Sequence, residues 1–495
     1  MAGHGTYPHD VVPPRSKFFD AGRFGRLFGN LPPFAVDTPE LRAALLDIGK
    51  LGGIMDAKDK LSEGSVKLIT EAALSETNPN NPTLPAGFTF MGQFLDHDMT
   101  FDPTSSLERQ ADPEHIENFR TPSLGLDNVY GAGPIGSPHL YDQKAGKGIT
   151  FLLEECGTAG KFDLPRNSQK VALIGDPRDD ENLILSQLQV AFLKFHNAAV
   201  DHARTVIKLT EANQIFAEAQ RLVRWHYQWI IVHEYLKKTC GAAVVDNVLA
   251  RGRKFYKWHN EPFIPVEFSV AAFRFGHSQI RPSYRANFTG DAGGTPFFGM
   301  IFTPSPSDPN DPDDLSGGCR APRRFIDWPT FFDFSDGSVK PNKKIDTTLS
   351  TTLFKLPGSV VSNPHPKSNP ASLAQRNLLR HLTFSLPSGQ RVAKAMHLPV
   401  LSKGDLSDLA SYGLDDRTPL WFYVLREAGT VENGERLGPV GARIVAEVII
   451  GLMQGDGGSY LAQDPEWQPS LPTIDPSKQG DDFTIVDLLR VAEVG

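Results

Sequence analysis

The segment Gly438–Met453 reads Gly-Pro-Val-Gly-Ala-Arg-Ile-Val-Ala-Glu-Val-Ile-Ile-Gly-Leu-Met and is apolar most of the way round a helix. A helix of that kind has no wet face and is stable only when other elements enclose it. The elements available to enclose it are also helical. Over Glu181–Arg204, Leu185, Leu188, Phe192, Phe195 and Val200 recur at helical spacing. Ile215–Leu236 repeats the pattern with Phe216, Ala219, Leu222, Val223, Trp229, Ile230 and Leu236. Shorter helices are predicted at Pro39–Leu51, Val270–Ile280, Leu373–His381 and Ser388–Met396, whereas period-two strand patterns are few. No internal repeat and no clean linker divides the 495 residues. The expected fold is therefore mainly α. Residues 61–495 form one large helical domain with long loops and little β, and residues 1–60 are an extension packed on it.

The 44 glycines and 39 prolines account for the loops. Pro79–Pro85 reads as a loop, Asp102–Phe162 as an excursion with little regular structure, and Pro304–Gly318 as a solvated acidic surface loop. A net charge of -8 without any basic run argues against nucleic acid as a partner. Cys156, Cys240 and Cys319 make neither a disulfide framework nor a metal site. The N-terminus lacks the pattern of a signal peptide, and no uninterrupted apolar run approaches membrane-spanning length. These features predict a soluble protein of a reducing compartment, cytoplasmic or exported without a recognisable signal peptide.

Four places set polar, chemistry-bearing residues at helical spacing. In Gly92–Asp102, Gln93, Asp96 and His97 stand at i, i+3 and i+4 and share one helix face. Asp98 lies about 140° round the axis from Gln93 and faces something else. Read alone, this stretch is either a solvated acidic turn or the wall of a site. Arg178 and Glu181 sit one turn apart at a helix start, where acids also suit the dipole. Arg274 and His277 are at i, i+3, and so are Asn377 and Arg380. His226 and His233 read as core or surface histidines with satisfied hydrogen bonds. Each pair alone is a weak signal. Together, two distant histidines, three arginines, two carboxylates and two amides suit a haem held between a ligating and a non-ligating histidine.

At these residues the sequence resembles the haem peroxidase–cyclooxygenase superfamily, the animal-type peroxidases, and particularly their bacterial members. The likeness runs in order through Gly92–Phe101, Thr121–Pro134, Gly175–Asn197, Phe273–Ile280, Asn377–Gln390 and Thr418–Met453. It implies a single helical haem-peroxidase domain in which His97 is the distal base and Gln93 its neighbour toward water or halide. Arg178 is then the distal arginine and His277 the ligand of the haem iron. Asn377 would hydrogen-bond the imidazole of His277, and Arg274 and Arg380 would pair with haem propionates. Asp96 and Glu181 match carboxylates that are esterified to haem in the family, so the implied cofactor is a haem b derivative with those two links. Asn182 stands where myeloperoxidase has a methionine bonded to a haem vinyl group, so that third link is not expected. Asp98 matches a calcium ligand, with Thr121, Ser123 and Asp127 completing the set. Gly125 replaces the aspartate usual in the family, which weakens the calcium site.

The resemblance implies that hydrogen peroxide is the oxidant and a small molecule the electron donor: a halide, thiocyanate or a phenol, oxidised through a ferryl intermediate. The fatty-acid dioxygenase branch carries a tyrosine three residues before the haem ligand. Here that position is Arg274, flanked by Phe273 and Phe275, and none of these can form a phenoxyl radical. Tyr284 is a more distant candidate for such a relay. A non-enzymatic haem sensor or carrier would have little use for a His97–Arg178 pair. An all-α metal-dependent phosphohydrolase built on His97-Asp98 leaves Gln93, Arg178 and Phe273–His277 unexplained.

Overall fold

The computed structural model describes residues 24–494 other than 102–112, 114–117, 119, 156–159, 259–260, 291–292, 304–307, 309, 319–320, 359, 362–363 and 473–481. The first part of the N-terminal extension (residues 1–23), Asp102, Cys156, Cys319 and parts of the two predicted loops therefore lie outside the described residues.

Helices form where apolar period and capping residues agree. Thr38 accepts from Leu41 N and opens α1 (Pro39–Ile48), with proline at a position that needs no N–H donor. The chain enters α2 (Gly87–Met99) directly from a strand, without a side-chain cap. Asn182 accepts from Leu185 N and opens α3 (Leu183–Thr205), which a short loop joins to its neighbour α4 (Ala212–Ile230). Gly241 and Gly252, both at positive φ, bracket α5 (Ala242–Arg251). Ser372 caps α6 (Leu373–Thr383) and Ser388 caps α7 (Gly389–Ala395). Then follow α8 (Leu420–Val431), α9 (Pro439–Gly455) and α10 (Ile485–Val491), the last with a Thr484/Asp487 capping box.

As its composition requires, α9 is enclosed. Val440 to Met453 are buried with the exception of Arg443, and α5, α8, Leu236–Cys240 and the segment Glu267–Gln279 pack round it. Its one buried acid, Glu447, accepts from the backbone N–H groups of Lys254, Phe255 and Tyr256 and from Arg443 Nε at 2.7 Å. The carboxylate thus satisfies an otherwise orphaned loop. On the other side, α3 pairs with α4, and α2 packs against α3. Among the described residues the strands form only two-stranded pairs, and no helix is long and apolar enough to cross a membrane.

Several expectations are corrected. Pro79–Pro85 is not a loop: Asn80–Pro85 pairs antiparallel with Pro341–Lys343. Its prolines lack N–H donors, which restricts it to a narrow, irregular ribbon. Asn81 Oδ1 braces it internally by accepting from Thr83 N and Leu84 N. Val270–Ile280 is helical but not α: a π turn (Glu267–Ala271) breaks at Ala271 (φ -124, ψ -76) into a 3-10 run (Ala272–Gln279). Ile215–Leu236 is α only to Ile230 and continues as a π turn (Ile231–Tyr235). Sequence periodicity also passes over α8, because Leu420 to Leu425 are all buried and the run shows no wet face. The N-terminal residues engage the core: Phe24–Gly25 pairs with Ile264–Pro265, and buried Glu267 accepts from Leu27 N and Phe28 N. His226 is buried and bonded on both ring nitrogens, and His233 stacks on Trp229 and meets the Tyr460 hydroxyl. Both are structural.

Candidate active site

Packing sets the rotation of α2. Phe88, Phe90, Met91, Phe94, Leu95 and Met99 are buried, whereas Gly92, Gln93 and Asp96 keep partial exposure. Phe94 stacks on Phe192 of α3 at 4.6 Å, with Tyr227 of α4 edge-on to both rings. Gly92 admits close approach from the other side, since a Cβ there would lie 2.5 Å from the Tyr235 hydroxyl. The polar face predicted from spacing is therefore the open face.

His97 is nearly fully buried, and its Nδ1 lies 2.7 Å from Oδ1 of fully buried Asp179. Asn128 Nδ2 holds the other Asp179 oxygen at 2.9 Å. With the carboxylate accepting from Nδ1–H, the Nε2 lone pair of His97 is left free. Burial pushes Asp179 upward, and the His97 bond is the chief counterweight. Beside this pair, Arg178 Nη2 donates to the carbonyls of His97 and Thr100 at the end of α2, and Nε and Nη2 both reach Asp176. Its Nη1 has no hydrogen-bond partner among the described residues. Although Asp176 is buried, its bonds to Arg178 and the charges of Arg178 and Arg120 hold it well below the usual carboxylate range. Gln93 Nε2 donates to Glu181 Oε2 at 3.1 Å and Gln93 Oε1 accepts from Asn182 Nδ2 at 3.2 Å. Asp96 accepts from the Thr100 hydroxyl. Burial raises Glu181, against the opposing charges of His97 and Arg178.

The 3-10 run that carries Arg274 and His277 packs against α2 and α8. At three residues per turn, positions i and i+3 eclipse, so these two side chains leave the backbone in the same direction. The carboxamide nitrogen of Asn377 lies 2.7 Å from His277 Nδ1, and Arg274 Nη1 donates to the carboxamide oxygen at 3.4 Å. Turning that carboxamide over lets its oxygen accept from Nδ1–H, which frees the Nε2 lone pair for a metal. Burial and the Arg274 charge push the imidazole pKa down to about 3, so His277 is neutral near pH 7. His381 Nδ1 bonds the Asn377 carbonyl, His381 Nε2 accepts from Trp421 N, and Trp421 Nε1 donates to the Arg274 carbonyl. Arg380 is partly exposed one turn past Asn377, its guanidinium 5.8 Å from the Phe384 ring. A Cβ on Gly276 would meet nothing within 4 Å. Gly276 and His277 are themselves partly exposed, and with the partly exposed positions of α2, the Pro177–Asp180 turn and α6 they define the candidate cleft.

Behind α2, Asp98 is fully buried and accepts from Asp127 N at 2.9 Å and from the Tyr227 hydroxyl at 3.2 Å. Burial and the neighbouring Asp127 charge push Asp98 well above the usual range. Thr121 N donates to Asp127, and Leu126, at φ 61, bends the loop toward Asp98. Ser123 Oγ is buried without a partner among the described residues. The Gly125 carbonyl accepts from Arg224 Nε at 2.7 Å. Among the described residues no three His, Cys, Asp or Glu side chains converge as a metal cluster.

The family model for animal haem peroxidases matches residues 112–306, a span that includes Arg178, Glu181, Arg274 and His277. Over that span the chain is similar to the animal haem peroxidases. Among the relatives it matches, a Caenorhabditis elegans peroxidasin homolog is 27% identical over 312 residues, 59% of this chain and 21% of that protein. Thyroid peroxidase of Mus musculus is 26% identical over 192 residues, 35% of this chain and 21% of that protein. The chain thus spans about a fifth of the length of these two relatives. Peroxidase A from Dictyostelium discoideum shares the fold with a TM-score of 0.60 at 17% identity, covering 93% of this chain and 91% of that one. A fatty acid alpha-dioxygenase of Oryza sativa shares it with a TM-score of 0.59 at 14% identity, covering 88% and 76%.

The matched family implies a haem, and the donor set fits one. A neutral, partly exposed imidazole stands beside Arg274, with Arg380 one turn past its Asn377 partner, and a second histidine stands on the packed neighbour α2. The structure brings together Gln93 with Glu181, His277 with Asn377 and Arg274, and Asp98 with Asp127. Sequence reasoning missed Asp179 and Asp176 as partners. The acid-rich run Asp176–Glu181 was their visible signal, but it reads equally well as helix-start electrostatics. Titration with haem should give a Soret band that is strongly weakened in His277→Ala and retained in His97→Ala. Equal binding by both variants would remove His277 as the ligand.

Proposed function

We propose that this chain is a peroxidase that uses hydrogen peroxide to oxidise a small-molecule donor, a halide, thiocyanate or a phenol, at a haem held by His277. The haem supplies the redox-active iron at which the oxygen–oxygen bond is cleaved. His97 takes the peroxide proton at Nε2, because Nδ1 is committed to Asp179. The same proton is then returned to the departing oxygen, which leaves as water. Arg178, pinned by Asp176 and two backbone carbonyls, presents its unused Nη1 to that oxygen and steadies the negative charge developing there. Gln93 retains one amide N–H for water or halide. The observation that carries the reading is this pre-set base and cation, already locked by buried carboxylates. Lipid oxygenation is the weaker reading: the position three before His277 is Arg274, whose Nε is held by the Ser269 carbonyl, and the hydroxyl of buried Tyr284 is engaged by Arg281 N.

Three finer assignments follow from the same layout. Arg274 and Arg380 would hold the haem propionates. Asp96 and Glu181, on the open faces beside His97, would carry ester links to the haem. Asp98, Asp127, Thr121 and Ser123 would hold a calcium ion that relieves the repulsion between the two acids. The hydrogen atom that stands in place of a side chain at Gly125 withholds a carboxylate from that set and makes binding weak.

One equivalent of hydrogen peroxide should change the Soret spectrum of the haem-loaded protein, and a reducing donor should restore it; an indifferent spectrum overturns the proposal. Arg178→Gln should lower peroxide turnover about 100-fold or more with haem retained. Asp179→Ala should lower kcat at unchanged KM, and Asp179→Asn should recover part of the loss, since its amide oxygen still orients Nδ1–H; loss of stability alone would make Asp179 merely structural. Haem of the active protein should resist acid-acetone extraction and become extractable in the Asp96→Asn, Glu181→Gln double variant. Chelation should lower the melting temperature reversibly, with millimolar calcium restoring it and Asp98→Asn insensitive to both.

A further inference from the structure

A cavity of about 500 Å³ opens where the turns Ser65–Thr70 and Ala72–Ser75 face the paired strands Asn80–Pro85 and Pro341–Lys343, and no residue of the cleft described above lines it. One wall is apolar, with Leu68, Ile69 and Ala73, and another carries Arg281 and Lys343. Both cations are buried, at 4% and 3% exposure, and both are short of partners. Lys343 Nζ donates to the Asn78 carbonyl at 2.7 Å, its one acceptor among the described residues. Arg281 Nη1 donates to Asn80 Oδ1 and to the Pro341 carbonyl, while its Nε is buried without a partner among the described residues. The carboxamide of Asn78, which also lines the cavity, is buried with neither atom bonded among the described residues. One buried acid in this field, Asp59, already accepts from Ser75 Oγ, Ser350 Oγ and Thr351 N. Glu76 lies exposed at the cavity's edge.

Asp59 and Asp346 act on Lys343 only at longer range, and neither buried cation has a carboxylate at ion-pair distance among the described residues, an arrangement that is costly unless an anion joins them. We propose that this cavity binds a small organic acid, its carboxylate on Arg281 and Lys343 and its aliphatic body against Leu68, Ile69 and Ala73. A guanidinium and an ammonium converging beside an apolar wall match that chemistry: charge-assisted hydrogen bonds at one end and desolvation at the other. The occupant also bridges the two halves of the cleft. Asn80 begins the strand that leads into α2, and Arg281 closes the turn that follows His277.

Burial, with Arg281 next, brings the Lys343 pKa down to about 7, while Asp59 and Asp346 oppose them. Asp346 is itself pushed up to about 6 by burial. A bound carboxylate favours the ammonium, so binding takes up a proton and tightens as pH falls through 7. The test is isothermal titration of the haem-loaded full chain with sodium hexanoate, at constant ionic strength and at pH 6 and 8. The expected result is one saturable site, tighter at pH 6. It should weaken about tenfold or more, 1.4 kcal/mol per tenfold, in Lys343→Met. It should also be blocked in Ala73→Phe, which fills the cavity from the apolar wall and leaves both cations in place. Saturable binding of inorganic phosphate where hexanoate fails would overturn the organic-acid assignment. Binding of 1-hexanol as tight as that of hexanoate would overturn the role of the cations. No saturable heat with hexanoate, or binding unchanged in both variants, would overturn the site itself.

Discussion

The stacking of Phe94 on Phe192 is the contact on which the arrangement of the candidate site depends. Full burial of one such ring stabilises by about 1.5–3 kcal/mol, and an aromatic partner adds about 0.5–1.5 kcal/mol. Because Phe94 projects from the side of α2 opposite the open face, the contact also sets the helix's rotation about its axis. With Phe94 seated between α3 and α4, Gln93 and Asp96 border the cleft, His97 reaches Asp179, and Asp98 points back into the loop at Asp127. A turn of α2 by one residue would bury the polar face unpartnered and expose the rings.

On the cleft side of that helix Asp176, Asp179 and Arg178 are each buried with partners. Asp176 takes two arginines, Asp179 takes a histidine and an amide, and Arg178 takes a carboxylate and two carbonyls. Removing one member would leave its partner desolvated and uncompensated, which costs more than the pair contributes. Such networks are poor devices for stability alone. Their use here is rigidity: a base and a cation that do not have to move in order to act.

The opposite wall is built differently. A π turn followed by a 3-10 run departs from ideal helix geometry, and irregular helix of this kind tends to occur at functional sites. The departure is supported from within and from outside: Arg274 Nε takes the Ser269 carbonyl, and Trp421 Nε1 takes the Arg274 carbonyl. His277 therefore projects from an irregular segment that α6 and α8 hold in place, and its orientation depends on residues a hundred or more positions away, Asn377 and Trp421 among them.

Much of this was legible in the residues. Apolar pattern found α1, α3, α4, α6, α7 and α9, because each presents one dry side, or in α9 all sides, to a core, and polar spacing marked α2. The i, i+3 pairs located the walls of the cleft, because helix geometry alone decides which side chains share a face. Period could not find α8, whose every side is dry at its N-terminal end, or the strand Asn80–Pro85, whose pairing depends on a segment far along the chain. Nor could it tell that Asp179, rather than Asp176 or Asp180, would reach His97: the three acids are equivalent as helix-start charges. Only the crossing of α2 over the turn before α3 separates them by distance. Local spacing is a property of one segment and is written in the sequence. Partnership between segments depends on how their buried faces seat against each other, and the tertiary structure alone decides it.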